Sequence, residues 1–287
     1  MEGEINKLEN SGFVWLNDDL VPRSQARVSV HDRGFLYGDG FFETLRAESG
    51  RPHFLWEHLE RLRASAGAFR LPFPKELPWE GRINRLLEVN GLSQGLAKVK
   101  IVLTRGEAPG LGLPEGSSPT LVIWAEPYSP PAAAEYASGW PVVTFPERRS
   151  TFIGRHKSLN YLFYLAARQY ALDQGAREAV ILEADGLVSE GAATSLVYTR
   201  EGRYFTPQAL SPLPGVSLAV LSRGLGRQGL ALERTPTSLG QLKEAEGLWL
   251  ANSLLGLMPV ASVDGQTLAL SAATSFLQGI LLSEQKP

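Results

Sequence analysis

The sequence predicts an α+β fold in two domains, and three observations carry that prediction. The chain has 287 residues, long for one core and comfortable for two. Apolar runs of strand period and of helix period mix in both halves, with neither type segregated. Near mid-chain, Pro127-Tyr128-Ser129-Pro130-Pro131 disfavours both helix and ladder and reads as an extended connector. The expected organisation is an N-terminal α+β domain over 1–126, a linker over 127–134 and a larger C-terminal domain over 135–287.

The elements follow in order. Residues 1–12 are polar and read as a loose terminus. Phe13 to Val21 reads as a hairpin, because Asn17-Asp18-Asp19 separates two apolar runs. Gly38-Asp39-Gly40 marks a loop before a strand over Phe41–Arg46. From Glu57 to Phe69, the residues Leu59, Leu62, Ala66 and Phe69 share one helical face. A second helix is expected near 79–90, and buried strands at Val99–Leu103 and Thr120–Ala125. After the linker come a strand near 141–145, a helix near 159–174, strands near 178–183 and 195–199, and a helix near 217–229. Gly247 to Val260 is strand-like and is expected to break at Pro259.

Composition narrows the function. Net charge is -2, so nothing draws the chain to nucleic acid or an acidic membrane. With no cysteine, disulfides, thiolate catalysis and cysteine metal sites are excluded. The four histidines, His31, His53, His58 and His156, form no i, i+4 pair, which argues against a catalytic metal. No nucleotide phosphate loop of the GxGxxG or GxxxxGK[ST] kind occurs. The N-terminus lacks a secretory pattern, and no apolar run approaches about 18 residues. A cytoplasmic enzyme acting on a small molecule is the expectation.

Two short runs carry the chemistry. Lys157, in Arg155-His156-Lys157-Ser158-Leu159-Asn160-Tyr161-Leu162, enters an apolar, helix-like stretch. Glu190 closes the strand-like Leu187-Val188-Ser189-Glu190 before the small-residue turn Gly191-Ala192-Ala193-Thr194-Ser195. A lysine amine can hold an aldehyde cofactor covalently, and a carboxylate can keep a pyridinium nitrogen protonated. Together they are what makes pyridoxal phosphate an electron sink.

Further motifs follow in a fixed order: Asp32-Arg33-Gly34-Phe35-Leu36-Tyr37-Gly38-Asp39-Gly40-Phe41-Phe42-Glu43-Thr44, Glu57-His58-Leu59-Glu60-Arg61-Leu62, the Lys157 run, the Glu190 run, Pro214-Gly215-Val216-Ser217 and Asn252-Ser253-Leu254. The set resembles the fold-type IV pyridoxal-phosphate enzymes, which include branched-chain aminotransferases, D-amino-acid aminotransferases and aminodeoxychorismate lyases. The resemblance spans Trp15 to Gly265. It implies that Lys157 is the cofactor-holding lysine and the acid/base that moves the substrate proton. By the same resemblance Glu190 partners the pyridine nitrogen, and Arg61, Val216, Ser217 and Ser253 bind the phosphate. A helix N-terminus and an arginine suit a dianion. A homodimer is also implied.

Tyr37 and Arg105 are the substrate-contact candidates, with Arg46, Arg155 and Lys100 as alternatives for a carboxylate. Tyr161 reads equally as core or as a neighbour of the cofactor. Period-2 alternation lets only one of Glu43 and Thr44 face the site, and the sequence leaves open which. His31, His58 and His156 read as structural.

Three features bear on the reaction. Asn252-Ser253-Leu254-Leu255-Gly256-Leu257-Met258-Pro259-Val260 is similar to the lyase form of the second phosphate loop. Where D-amino-acid aminotransferases place an Arg-x-His carboxylate trap, this chain has Gly106-Glu107-Ala108-Pro109-Gly110-Leu111-Gly112. The arginine that many lyases carry in that loop is missing too. Leu218 stands where an arginine is common, and Ser195 where asparagine is common. The resemblance therefore implies an aminodeoxychorismate lyase, with an aminotransferase for D- or branched-chain amino acids as the alternative.

Overall fold

Two β-sheets organise the described residues, 12–284, of the chain, seen here in a computed structural model. The polar stretch 1–12 lies, but for Gly12, outside them. One compact unit comprises the chain up to Ser129 together with Lys157–Asn160, and the other Pro130–His156 with Tyr161 onward.

In the first unit the strands are β1 (Phe13–Leu16), β2 (Asp19–Pro22), β3 (Gly40–Glu48), β4 (Arg51–Pro52), β5 (Leu96–Thr104) and β6 (Thr120–Pro127), in the order β2-β1-β6-β5-β3-β4. All neighbours run antiparallel. The expected hairpin is present. Asn17 turns it at φ 54, a left-handed conformation that asparagine tolerates. β3 and β5 pair from Gly40↔Thr104 to Glu48↔Leu96. Alternation then turns Phe41, Leu45 and Ala47 onto the core side. There they join Leu59, Leu62 and Ala66 of the Leu55–Ala68 helix and Ile83, Leu86 and Leu87 of the Trp79–Val89 helix.

A short helix, Arg33–Tyr37, was not expected. Asp32 Oδ1 caps it by accepting the Gly34 N–H at 2.7 Å. Gly38 ends it at φ 67, where a Cβ would lie 2.9 Å from the Asn160 amide.

In the second unit the strands are β7 (Trp140–Thr144), β8 (Glu178–Leu182), β9 (Val188–Gly191), β10 (Ser195–Arg200), β11 (Arg203–Pro207), β12 (Leu232–Thr235), β13 (Gly247–Asn252), β14 (Gly256–Val263) and β15 (Gln266–Thr267). Their order is β12-β11-β10-β13-β14-β7-β8-β9, with β15 on β14. β7 is parallel to both β14 and β8. Trp140, Val180, Leu196, Tyr198, Leu250, Met258 and Val260 build the core. Helices Leu162–Asp173, Val216–Arg227 and Ala273–Ser283 belong to this unit.

Four expectations differ from the structure. Pro259 does not break the last strand but sits inside β14, opposite Trp249. The ladder to β7 begins only at Val260, so Pro259 lies outside it, where a missing N–H is tolerated. The helix expected from 159 starts at Leu162, with Tyr161 as its N-cap. Lys157, expected in the C-terminal domain, clusters with the first unit. In the expected linker, β6 runs to Pro127 and a helix, Ala133–Ser138, begins six residues on. Among the described residues no helix is long and apolar enough to cross a membrane.

Candidate active site

Lys157 stands on extended backbone that pairs with the start of β3. The Phe42 N–H donates to the Lys157 carbonyl at 2.9 Å, and the Leu159 N–H to that of Gly40 at 3.0 Å. Gly40 permits this approach, since a Cβ there would lie 2.7 Å from the Leu103 carbonyl and 2.9 Å from the Leu159 side chain. The Lys157 Nζ stands 4.7 Å from the centroid of the Phe42 ring. Lys100 Nζ lies 4.8 Å from that same ring and 5.5 Å from that of Trp124. Burial, then the Lys98 charge, holds the Lys100 ammonium below its ordinary pKa, against an opposing pull from Glu126. Lys98 pairs with Glu126 at 2.9 Å. Among the described residues, Lys100 forms no ion pair.

Glu43, next along β3, faces the other way. Its fully buried carboxylate accepts Arg61 Nε at 2.7 Å and Nη2 at 2.6 Å. His58 Nδ1 lies 2.6 Å from the same carboxylate. Burial works against the Glu43 charge, but Arg61 and then His58 outweigh it and bring the pKa down to about 2. The question left between Glu43 and Thr44 is thus answered in part: Glu43 turns to Arg61, and Thr44 shares the Phe42 face.

Arg105 is not placed for substrate. It is completely buried. Its Nε and Nη2 donate to Asp39 at 2.7 and 3.1 Å, Nη1 to the Arg70 and Pro114 carbonyls, and Nη2 also to that of Phe69. A guanidinium has five N–H donors, and five acceptors within the protein meet them. Arg33 reinforces this cluster, donating to Asp39 and to the Gly110 and Gly112 carbonyls. Tyr37, about half exposed, lies with its ring 5.0 Å from the Arg33 guanidinium.

In the second unit, Glu190 sits buried on β9. One oxygen accepts from Arg149, and the other accepts the Leu213 N–H at 3.0 Å. Arg149 also donates to Glu183 and Ser189, each at 2.5 Å, and to the Tyr164 hydroxyl at 2.7 Å. Burial opposes the Arg149 charge, but Glu190 and Glu183 hold its pKa above the usual arginine value. Burial and the Glu190 charge push the Tyr164 phenol up to about 12. Arg149 and Tyr164 carry no motif signal, so the sequence reading missed them. Tyr161 stacks on Tyr164 at 4.9 Å between centroids.

The turn after Glu190 is held from beneath by Glu178. That buried carboxylate accepts from Ala193 N–H and Thr194 Oγ1 at 3.3 Å each. Asn252 ties the turn to the next loop, donating to the Ala193 carbonyl at 3.1 Å and accepting the Leu254 and Leu255 N–H groups at 2.9 and 2.7 Å. Ser253 lies within that loop. The Val216–Arg227 helix starts at Gly215 with no side chain capping its N–H groups, and Val216 and Ser217 are buried. A Cβ on Gly215 would lie 2.4 Å from Ser195 Oγ. Leu213, Gly215, Ser195, Asn252 and Glu190 thus form one connected patch within this unit.

The amino-transferase class IV family matches residues 40–263. A "putative branched-chain-amino-acid aminotransferase" of Methanocaldococcus jannaschii is 33% identical over 263 residues, covering 89% of each chain. This chain belongs to the amino-transferase class IV family. Another relative, a D-alanine aminotransferase of Bacillus licheniformis, is 28% identical over 94% of this chain and 98% of its own. A branched-chain-amino-acid aminotransferase-like protein of Arabidopsis thaliana is 30% identical, and this chain spans only 46% of that longer protein. The class IV fold is also seen in two solved structures, each 24% identical. The branched-chain amino acid aminotransferase of Escherichia coli superposes with a TM-score of 0.85 over 96% of both chains. A "putative 4-amino-4-deoxychorismate lyase" of Legionella pneumophila superposes with 0.83 over 91% of this chain and 96% of its own.

Class IV aminotransferases are pyridoxal-phosphate enzymes, so this chain is one of that group, as the motifs implied. Each unit carries groups of the kinds that such a cofactor takes: the first an amine at Lys157, the second a buried carboxylate at Glu190 and a helix N-terminus at Val216 and Ser217.

Proposed function

We propose that this chain is an aminodeoxychorismate lyase, forming 4-aminobenzoate and pyruvate. Lys157 holds the cofactor and moves the substrate proton, and Glu190 keeps the pyridine nitrogen protonated. Arg61, Val216, Ser217 and Ser253 bind the phosphate. Pyridoxal phosphate, when bound, supplies the electron sink for the pair left on the substrate carbon. Lys157 takes the proton from the amine-bearing ring carbon. The neighbouring carbon–oxygen bond then breaks, enolpyruvate leaves with the bonding pair and gains a proton to become pyruvate, and the ring is left aromatic.

The observation that carries this reading is the pair of ammonium groups, Lys157 and Lys100, each within 5 Å of the Phe42 centroid. A half-buried, ion-pair-free lysine that shares the Phe42 ring with Lys157 suits a substrate that joins an amine to carboxylates. Lys100 thereby replaces Arg105 as the carboxylate partner. The lyase-like Asn252 loop supports the same reading. The Gly106–Gly112 loop, which lacks the Arg-x-His trap and whose Gly110 and Gly112 carbonyls accept from Arg33, speaks against a D-amino-acid aminotransferase.

An aminotransferase is the second reading, favoured by the names of the relatives described above. A cytoplasmic homodimer is part of the proposal, and a monomer in sedimentation at assay concentration would remove the dimer. The decisive experiment supplies aminodeoxychorismate to the cofactor-loaded protein, with Lys157→Ala as blank. Equal 4-aminobenzoate and pyruvate above the blank are expected. No product from a protein that keeps the visible absorption of lysine-bound cofactor would overturn the lyase reading, and a panel of D- and L-amino acids would then test the second.

A further inference from the structure

A fully buried carboxylate on a core-facing strand position is costly unless its charge is matched, and an apolar side chain would fill the position of Glu43 more simply. We propose that Glu43 and His58 are positioning residues that fix the Arg61 guanidinium for the cofactor phosphate. The proposal rests on the assignment of Arg61 to that phosphate made above.

The geometry is specific. Both oxygens of Glu43 are engaged with Arg61, Oε1 with Nε and Oε2 with Nη2. A two-point fork fixes the plane of the guanidinium as well as its position. It grips the Nε edge and turns the Nη1 end away from Glu43. His58 precedes Arg61 by one helical turn on the Leu55–Ala68 helix and reaches the same carboxylate. Glu43 is ionised at neutral pH and only accepts hydrogen bonds, so His58 Nδ1 carries a proton and donates. Three donors from one helix face are thus gathered on one carboxylate. Arginine has about 2 kcal/mol of rotamer freedom to lose on binding, and a side chain held in advance loses less of it when the phosphate arrives.

The strand couples this clamp to the lysine. Phe42 hydrogen-bonds the Lys157 carbonyl and carries its Nζ over its ring. Glu43, the next residue, holds Arg61. Consecutive residues of β3 therefore set both groups from one rigid element.

The test compares dissociation constants of the apoprotein for pyridoxal phosphate and for pyridoxal, which has the same ring and aldehyde but no phosphate. Their ratio isolates what the phosphate contributes and cancels any general loosening of the fold. Arg61→Met should lower the phosphate preference, and a preference left intact would remove the Arg61 assignment and the proposal with it. With that loss established, Glu43→Gln should lower the preference by about tenfold or more while pyridoxal affinity holds. The double variant should fall no further than Arg61→Met alone. His58→Gln should act in the same direction severalfold, and it keeps the test open if Glu43→Gln fails to fold. A carboxylate could instead weaken the phosphate site by neutralising Arg61. A preference that is unchanged or raised in Glu43→Gln, or unchanged in His58→Gln, would overturn the positioning role while leaving Arg61 on the phosphate.

Discussion

Arg61 and Arg105 occupy the same unit, and each is held by a carboxylate of the β3 region, yet they do different things. All five donors of Arg105 are met by Asp39 and three carbonyls, and the side chain is fully buried. Arg61 gives one edge to Glu43 and keeps a tenth of its side chain exposed. Exposure, rather than the carboxylate partner, separates the two: Arg105 is sealed from any ligand, and Arg61 is not. The largest effect expected from this comparison is on stability. Arg105→Met leaves Asp39 and three carbonyls short of donors and should cost about 3–5 kcal/mol. Urea unfolding would measure it. The pyridoxal-phosphate preference over pyridoxal should stay as in the parent protein, and a lost preference with stability intact would reverse the roles.

Acid sharpens the contrast next. Glu43 ionises near 2 in the folded chain against 4.5 unfolded. A depressed carboxylate pKa contributes stability above the unfolded value, and that stability is lost as pH falls from 4.5 toward 2. The loss is on the order of 3 kcal/mol. Asp39, also lowered by Arg105 and Arg33 against its burial, adds loss of the same sign. Glu43→Gln should flatten the fall in stability across that window, measured by denaturant midpoints at each pH. An unflattened curve would place the acid sensitivity elsewhere.

Lys100 tests the substrate side of the comparison. Lys100→Met keeps the stem over Phe42 and Trp124 and removes the charge. A charge-assisted contact of about 1.5–3 kcal/mol predicts that KM for a carboxylate-bearing substrate rises about tenfold or more, with kcat altered less. An unchanged KM would return the carboxylate to another basic residue, Arg46 or Arg155.

Much of this was legible because periodicity is local. The Leu55–Ala68 helix declares itself through spacing, and the hairpin and β3 through the turn and loop residues at their ends. The five-residue Arg33–Tyr37 helix is too short to show a period. Lys157 reads as the entry to the following helix, while the bridge to β3 beside it comes from distant chain. The site motifs were legible as motifs. What surrounds them was not: Arg149 finds Glu190 across 41 positions, and Glu43 finds Arg61 across 18. Arg105 looked like a free cation because nothing local reveals that Asp39 and the carbonyls of Phe69, Arg70 and Pro114 converge on it.

The smallest effect concerns Tyr37, where packing and substrate contact remain to be separated. Its ring lies 5.0 Å from the Arg33 guanidinium, which Asp39 and the Gly110 and Gly112 carbonyls already hold. A cation–π contact at so exposed a site contributes about 0.5–1 kcal/mol. Tyr37→Ala should therefore lower stability by about that much, and Tyr37→Phe, which keeps the ring, should not change it measurably. If the ring only packs on Arg33, KM should be as indifferent to the lost hydroxyl as stability is. A KM that rises in Tyr37→Phe while unfolding is unmoved would show that the hydroxyl meets substrate, because no interaction within the folded chain would account for it. The pair of variants thus divides ring from hydroxyl.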